Sequence, residues 1–303
     1  MKPLIILTGP TAVGKTELSI RLAKALNGEI ISADSMQVYK KMDIGTAKIR
    51  PEEMQGVKHY LIDCLEPDED FNVVLFQKMA KDAMEKIYDA GHIPIIAGGT
   101  GFYIQALLYD INFDNVNEES EYRKYLKDMA DKEGNEVLHG MLAKVDEKSA
   151  KDIHPNNVKR VIRALEYFHQ TGKKISEHNE EQSQNVSPYN FVYFVLNDDR
   201  KLLYEEGLEQ EVKRLIDSGL TRESISMQGI GYKEMFDYFD GMYDIDTAKE
   251  LIKQDTRHFA KRQLTWFRRE KDVTWINYEN YNHSKDDMLE AMIEIIKNKQ
   301  GEI

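Results

Sequence analysis

Apolar positions gather in six short, β-branched runs along the chain: LIIL (4–7), EIISA (29–33), HYLID (59–63), IPIIA (93–97), FVYFVL (191–196) and VTWIN (273–277). Short continuous apolar runs bounded by polar or turn-forming residues predict buried strands. Between them the period becomes that of a helix. KTELSIRLAKALN (15–27) places Leu18, Leu22 and Leu26 on one face and stops at Asn27-Gly28, residues suited to a left-handed C-terminal cap. FQKMAKDAMEKIYDA (76–90) aligns Phe76, Ala80, Ala83, Ile87 and Ala90, and stops at Gly91. Strand and helix alternating in this way imply right-handed crossovers and a parallel sheet covered on both faces.

The pattern changes after Asn112. As far as Pro188 no strand pattern recurs, and the text is polar, acidic and helix-favouring, with a break at His154-Pro155. The expected architecture is therefore α/β: a parallel sheet core formed by residues 1–112 and 188–303, with an all-helical domain inserted over 113–187.

Composition narrows the class. The chain has 303 residues, 41% hydrophobic and 31% charged, the balance of a globular protein with a sizeable core. The single cysteine, Cys64, excludes an internal disulfide and is expected to be a small buried hydrophobe. No run approaches the roughly 20 apolar residues of a membrane span. Met1-Lys2-Pro3 leads directly into the first strand, with no room for a signal peptide, so the expected compartment is the cytoplasm. A net charge of −12 argues at first against nucleic acid, yet binding depends on where the basic residues cluster.

The first strand runs into GPTAVGKTE (9–17), which has the form G-x-x-x-x-G-K-T and opens the first helix. Strand, glycine loop and helix in that order make a phosphate-binding P-loop. Its cradle is Gly9, Pro10, Thr11, Ala12, Val13, Gly14, Lys15 and Thr16. Backbone N–H groups and the helix dipole attract the anion, Lys15 bridges phosphate oxygens, and the Thr16 hydroxyl is placed to ligate Mg²⁺. The loop alone does not fix the reaction: ATP and other nucleotides, or any departing diphosphate, use the same parts.

Two further strand ends point at the same crevice, where open sheets bind ligands. The second continues into ISADSMQVYKKMDIGTAK (31–48), whose Asp34 is a candidate general base, or else a turn cap. Ser35 and Gln37 can donate and accept hydrogen bonds, and glutamine pairs with an adenine edge. The fourth ends in AGGTGFY (97–103), with glycines for close approach and the Thr100 hydroxyl.

GPTAVGKTELS, ISADSMQVYKKMDIGTAK, GGTGFY, HPNNVKRVIRALE, QGIGYKE and AKRQLTWFR, in this order and spacing, resemble the tRNA dimethylallyltransferase family over residues 4 to about 270. The resemblance implies transfer of a dimethylallyl (isopentenyl) group from dimethylallyl diphosphate to N6 of the adenosine 3′-adjacent to the anticodon. It implies that the diphosphate lies on Thr11 to Thr16 with Mg²⁺ at Thr16. By the same resemblance Asp34 takes the amine proton, Thr100 supports the diphosphate or the reacting groups, and Asp34, Ser35, Met36 and Gln37 hold the extruded adenine. The implied partners are the tRNA anticodon stem-loop and dimethylallyl diphosphate, with no membrane, for an enzyme working as a monomer.

Two basic segments offer a footprint for RNA. In HPNNVKRVIRALE (154–166), Val158, Val161, Ile162 and Leu165 form the apolar face, leaving Lys159, Arg160 and Arg163 toward solvent or phosphates. In the second, Ala248, Ile252, Phe259 and Trp266 form one helical stripe, and Lys253, Arg257, Lys261 and Arg268 another roughly opposite. Residues 257–271 hold six Lys or Arg, Arg262 among them, against one Glu. By the family pattern Gln263 and the Gln228, Gly229 and Tyr232 loop lie near this ridge, and Arg123 matches an arginine that contacts tRNA.

One stretch departs from the family. Its usual L-Y-x-R-I-x-x-R-V helix carries an arginine for the diphosphate, but here Leu203-Tyr204 is followed at once by Glu205, Glu206 and Gly207. Either the chain lacks that arginine and binds diphosphate weakly, or a segment is missing from the sequence in hand; the second is preferred, because every other motif is kept. Gly207 would then interrupt a helix interior. The rival functions are a P-loop small-molecule or nucleotide kinase, a transferase acting on free adenine nucleotides, and a binding module without chemistry.

Overall fold

The computed structural model describes residues 1–113, 121–198 and 207–301, in two compact units. The larger comprises Met1–Leu108 and Pro188–Ile303, the smaller Tyr109–Ser187. In chain order the elements are β1 (Lys2–Thr8), α1 (Lys15–Ala25), β2 (Gly28–Ser32), β3 (His59–Tyr60), α2 (Val73–Asp89), β4 (Ile93–Gly98) and α3 (Gly101–Leu108). The smaller unit follows with α4 (Glu121–Glu133), α5 (Asn135–Val145), α6 (Glu147–Asp152), α7 (Val158–Thr171) and α8 (Ile175–Ser183). The chain then adds β5 (Tyr189–Asn197), α9 (Leu208–Asp217), α10 (Tyr232–Phe239), α11 (Ile245–Phe267), β6 (Val273–Asn277) and α12 (Lys285–Gln300).

The six strands form one sheet in the order β3-β2-β4-β1-β5-β6, with every pair parallel. Each of the six apolar runs falls within or beside one of these strands. Ile5, Leu7, Ile95, Val192 and Phe194 pack with Leu18 and Leu22 of α1 and Met288, Met292 and Ile296 of α12 in one core. Phe71, Phe76 and Tyr103 form a second, aromatic cluster, in which Phe76 and Tyr103 stack at 4.7 Å.

The helix stops fall where the turn residues put them. Asn27 has φ 50° and Gly91 φ 75°, so both chain reversals use the left-handed region. Helix α2 begins earlier than its apolar stripe, at Asn72, whose side chain accepts the Leu75 N–H at 3.0 Å. Ala90, expected on the buried face, is exposed because the helix ends at Asp89.

In the smaller unit Leu126, Leu138, Leu142, Val161, Ile162 and Leu165 make a separate core. The buried Asp146 carboxylate caps α6 through Ser149 and also accepts from Ser176 N at 3.0 Å and Ser176 Oγ at 2.8 Å, tying α8 to α6. Glu166, fully buried on α7, takes the Arg123 guanidinium at 2.5–3.0 Å. Hydrogen-bonded pairing is what makes a buried carboxylate tolerable.

Candidate active site

β1 lies between β4 and β5, in register Thr8↔Gly98 on one side and Thr8↔Val195 on the other. The chain leaving Thr8 therefore emerges at the C-terminal edge of the sheet centre. Gly9 must be glycine: its φ is 152°, and an added Cβ would lie 2.6 Å from the Leu196 carbonyl oxygen. Gly14, at φ 89°, opens α1 without a side-chain cap, so the first N–H groups of the helix stay available to a ligand. Lys15 Nζ donates to the carbonyls of Gly9 at 3.1 Å and Pro10 at 2.8 Å. Burial lowers its pKa to about 8, an effect only partly offset by the nearby charge of Asp34.

Asp34 follows β2. Its Oδ1 accepts from Met36 N at 2.8 Å and Gln37 N at 3.3 Å, which closes the turn. Gln37 in turn accepts from Ser32 Oγ at 3.1 Å and donates to the carbonyls of Thr46 at 3.2 Å and Ala47 at 3.4 Å.

At the end of β4, Thr100 N–H donates to Ala33 O at 3.1 Å, so Thr100 sits beside the backbone that carries Asp34. Gly98 permits this closeness, since a Cβ there would meet Ala33 O at 2.3 Å, C at 2.4 Å and Cα at 2.8 Å. Backbone atoms cannot swing away as a side chain can. Gly98→Ala is thus expected to lower stability by about 3 kcal/mol or more, read as a drop in melting temperature.

The two halves of the site are joined from α11. Gln263 Oε1 accepts from Thr11 N–H at 3.0 Å, and its Nε2 donates to Gly99 O at 2.9 Å. A Cβ on Gly99 would lie 2.3 Å from that Nε2, and one on Gly101 would lie 2.3 Å from the Trp266 ring.

A cleft of about 270 Å³ lies between the P-loop and the turn at Asp34, and Thr100 and Gln263 are not part of its lining. Thr11, Ala12, Gly14, Lys15, Thr16, Asp34 and Gln37 line it, with Ile30, Ile49 and Ile62 as apolar wall and His59 beside them. Burial lowers the His59 pKa, and its Nδ1 is hydrogen-bonded to Val57 O at 2.9 Å. The P-loop and the turn at Asp34 thus meet in one cavity, whose lining holds both polar groups and hydrocarbon.

Other predicted contacts lie elsewhere. Gln263 is buried with both amide groups engaged, so it joins the phosphate loop to β4 rather than facing RNA. Tyr232 is only 1% exposed and donates to Glu211 Oε1 at 2.7 Å; burial and that carboxylate push its pKa up. Arg163 is half-buried with Nη1 enclosed, whereas Lys159 and Arg160 on the same helix are exposed. On α11 the buried line is Ala248, Ile252, Gln263 and Phe267, with Phe259 and Trp266 only half-buried.

Arg257, Lys261, Arg262 and Gln228 are exposed, Ser35 and Met36 half-buried, and Gly229 packs so close that its Cβ would sit 2.6 Å from Met36 Cε. Arg123 is held by Glu166. Cys64 is exposed, because Asp63-Cys64 leaves the sheet instead of continuing the short β3. Gly207 is the N-cap of α9 with φ 94°, while Leu203-Tyr204 and the rest of 199–206 lie outside the described residues.

Among the buried charges that the pattern does not disclose, two hold the segment that follows Asp34. Lys48 Nζ bonds Tyr39 O at 2.6 Å, Asp43 Oδ1 at 2.7 Å and Asp63 Oδ1 at 2.6 Å. Glu211 occupies the apolar stripe of α9 with Leu208, Val212 and Leu215. An acid on an apolar stripe was the available signal.

The description IPP transferase belongs to a family whose sequence profile matches residues 37–270. A tRNA dimethylallyltransferase of Lachnoclostridium phytofermentans is 56% identical, over 99% of both chains, and one of Acetivibrio thermocellus is 47% identical over 93% of this chain and 94% of its own. The first alignment spans 311 positions against 303 residues here, so that relative has residues without a counterpart in this chain. The crystal structure of a full-length tRNA isopentenylpyrophosphate transferase from Bacillus halodurans is similar with TM-score 0.71 and 42% identity, covering 99% of this chain and 98% of its own. A eukaryotic dimethylallyltransferase crystallised acting on tRNA is similar with TM-score 0.74 and 30% identity, covering 91% and 74%. A phosphate loop facing an aspartate across one cleft, in a chain matched over this length, has a family: the chain belongs to the IPP transferases.

Proposed function

We propose that this protein transfers a dimethylallyl group from dimethylallyl diphosphate to N6 of the adenosine 3′-adjacent to the anticodon of tRNA, releasing diphosphate. The observation that carries this reading is Asp34 lining the same cleft as Lys15 and Thr16. The allylic C–O bond breaks and its electron pair leaves with the diphosphate. The amine nitrogen forms the new C–N bond, and its proton passes to Asp34, whose Oδ1 is fixed by the Met36 and Gln37 N–H groups. Lys15 and the N–H groups at the start of α1 stabilise the negative charge that builds on the leaving group. Ile30, Ile49 and Ile62 supply a wall for a hydrocarbon chain.

Among the described residues there is no group of three or more His, Cys, Asp or Glu that could hold a metal. A hydroxyl at Thr16 beside a diphosphate is nonetheless the donor set Mg²⁺ takes, completing its shell with phosphate oxygens and water. Thr16 is the residue we assign to it, and Mg²⁺ bound there would neutralise diphosphate charge.

The exposed Arg257, Lys261 and Arg262 of α11, and Lys159 and Arg160 of α7, are the proposed phosphate contacts for RNA. No helix among the described residues is long and apolar enough to cross a membrane. The test is transfer of a radiolabelled allyl group to unmodified tRNA with Mg²⁺, the labelled nucleotide then being mapped by nuclease digestion. Label on the adenosine 3′ of the anticodon supports the reading, and no label in RNA rejects it.

The depressed Lys15 pKa gives a pH dependence with a definite sign. Diphosphate prefers the protonated amine, which predominates below pH 8 and is lost as pH rises through about 8. Inhibition by inorganic diphosphate is expected to weaken above that pH by up to about tenfold per unit. Lys15→Arg, which stays protonated, should flatten the profile.

A further inference from the structure

We propose that Glu211 is a positioning residue for base selection: it holds the segment after Asp43 so that the Gln37 amide is locked as an acceptor for an exocyclic amine. The proposal rests on the adenosine-alkylating reading above.

Glu211 is 2% exposed, and both its oxygens are occupied. Oε2 accepts from Asp43 N and Ile44 N, each at 2.8 Å; Oε1 accepts from Gly45 N at 3.1 Å and the Tyr232 hydroxyl at 2.7 Å. The fit allows no side chain at Gly45, whose Cβ would lie 2.6–2.8 Å from Tyr232 ring and hydroxyl atoms. Lys48, with 3% of its side chain exposed, clamps the other end through Tyr39 O, Asp43 and Asp63. Burying a carboxylate in the apolar stripe of α9 is costly, and a hydrophobic residue there would serve packing alone as well. What the carboxylate adds is a fixed path for the backbone of 43–45.

Between the two clamps stand Thr46 and Ala47, whose carbonyls accept from Gln37 Nε2. Ser32 Oγ donates to Gln37 Oε1 from the opposite side at 3.1 Å. Turning the amide over would set its oxygen against two carbonyls, so the polarity of Gln37 is determined by this segment. Its hydrogens are spent on the backbone, and the group it can offer a base is the Oε1 acceptor. Adenine presents an N6 amine donor where hypoxanthine and guanine present an O6 acceptor. A locked acceptor accommodates the first and repels the others.

The test uses the full chain and anticodon stem-loop RNA with adenosine at the target position. The same RNA carrying inosine there serves as a competitive inhibitor. Losing one such directed hydrogen bond is worth about tenfold, so the ratio of the inosine Ki to the adenosine KM should fall by about that factor in Glu211→Gln. Tyr232→Phe, a smaller change that removes one donor to the carboxylate, should lower the same ratio and provides the measurement if the first variant does not fold. Inhibition by inorganic diphosphate, which depends on the P-loop, should be unchanged in both. A ratio equal to wild type in the folded variants overturns the proposal, since a purely structural glutamate would alter stability without altering base choice. A wild-type chain that alkylates no RNA overturns the underlying reading, and this proposal with it, and is told apart by that result alone.

Discussion

Asp34→Asn is expected to cut allyl transfer by about 10²- to 10⁴-fold, measured as the single-turnover rate at saturating donor and RNA. The substitution is informative because asparagine keeps an oxygen that can accept from Met36 N and Gln37 N, at 2.8 and 3.3 Å in the native turn. If Asp34 were only a turn cap, the change would be almost silent, because Asp and Asn cap equally well. If it is the base, the amide cannot take the proton that leaves the amine, and the rate collapses in a chain that still folds. Diphosphate inhibition should be largely unchanged, since the loop before α1 is the proposed site for that anion. The split between a lost rate and an intact ligand site is therefore the signature of a base.

Lys15→Met should show a complementary loss. The methionine retains an unbranched stem but removes the ammonium that now lies 2.8 Å from Pro10 O and 3.1 Å from Gly9 O. Charge accumulates on the departing diphosphate in the transition state, and removing one preorganised donor to such charge typically lowers kcat by about 10²- to 10³-fold. Inhibition by diphosphate should weaken as well, because Lys15 is the proposed contact for the charge of the product anion. Binding of RNA to the exposed ridge of α11 should persist, which gel shift without donor would read. A variant that loses RNA binding and diphosphate inhibition together would point to general unfolding of the loop.

The sheet was legible in the sequence because continuous β-branched runs admit few other placements, and all six lie in one parallel sheet. The phosphate loop was legible for a similar reason: its glycines answer a local backbone demand, visible in the φ of 152° at Gly9 and 89° at Gly14. What periodicity could not tell was the direction of a polar side chain in tertiary space. Gln263 and Tyr232 sit among basic or glycine-rich motifs and read as RNA contacts, yet both turn inward to partners far along the chain, Thr11, Gly99 and Glu211.

Glu211 failed in the opposite sense. Acids are usually solvated, so its place on the stripe of Leu208, Val212 and Leu215 passed as a break in the pattern. Its four donors come from residues 21 to 168 positions away, a convergence that only the folded chain displays. Arg163 differs from Lys159 and Arg160 by one turn of α7, enough to draw it half under the surface.

In the proposed reaction the phosphate loop holds a group that leaves, and no phosphoryl group is transferred. A P-loop kinase would use the same Lys15 and Thr16 to a different end, so the fate of phosphorus decides between them. Dimethylallyl diphosphate labelled with ¹⁴C in the allyl chain and ³²P in the diphosphate should be incubated with tRNA and Mg²⁺, and the products separated. Carbon-14 is expected in RNA, with an equal amount of ³²P as free diphosphate. Phosphorus-32 in the RNA, or transfer of the γ-phosphate of ATP to an acceptor with no allyl group moved, would contradict the proposed reaction.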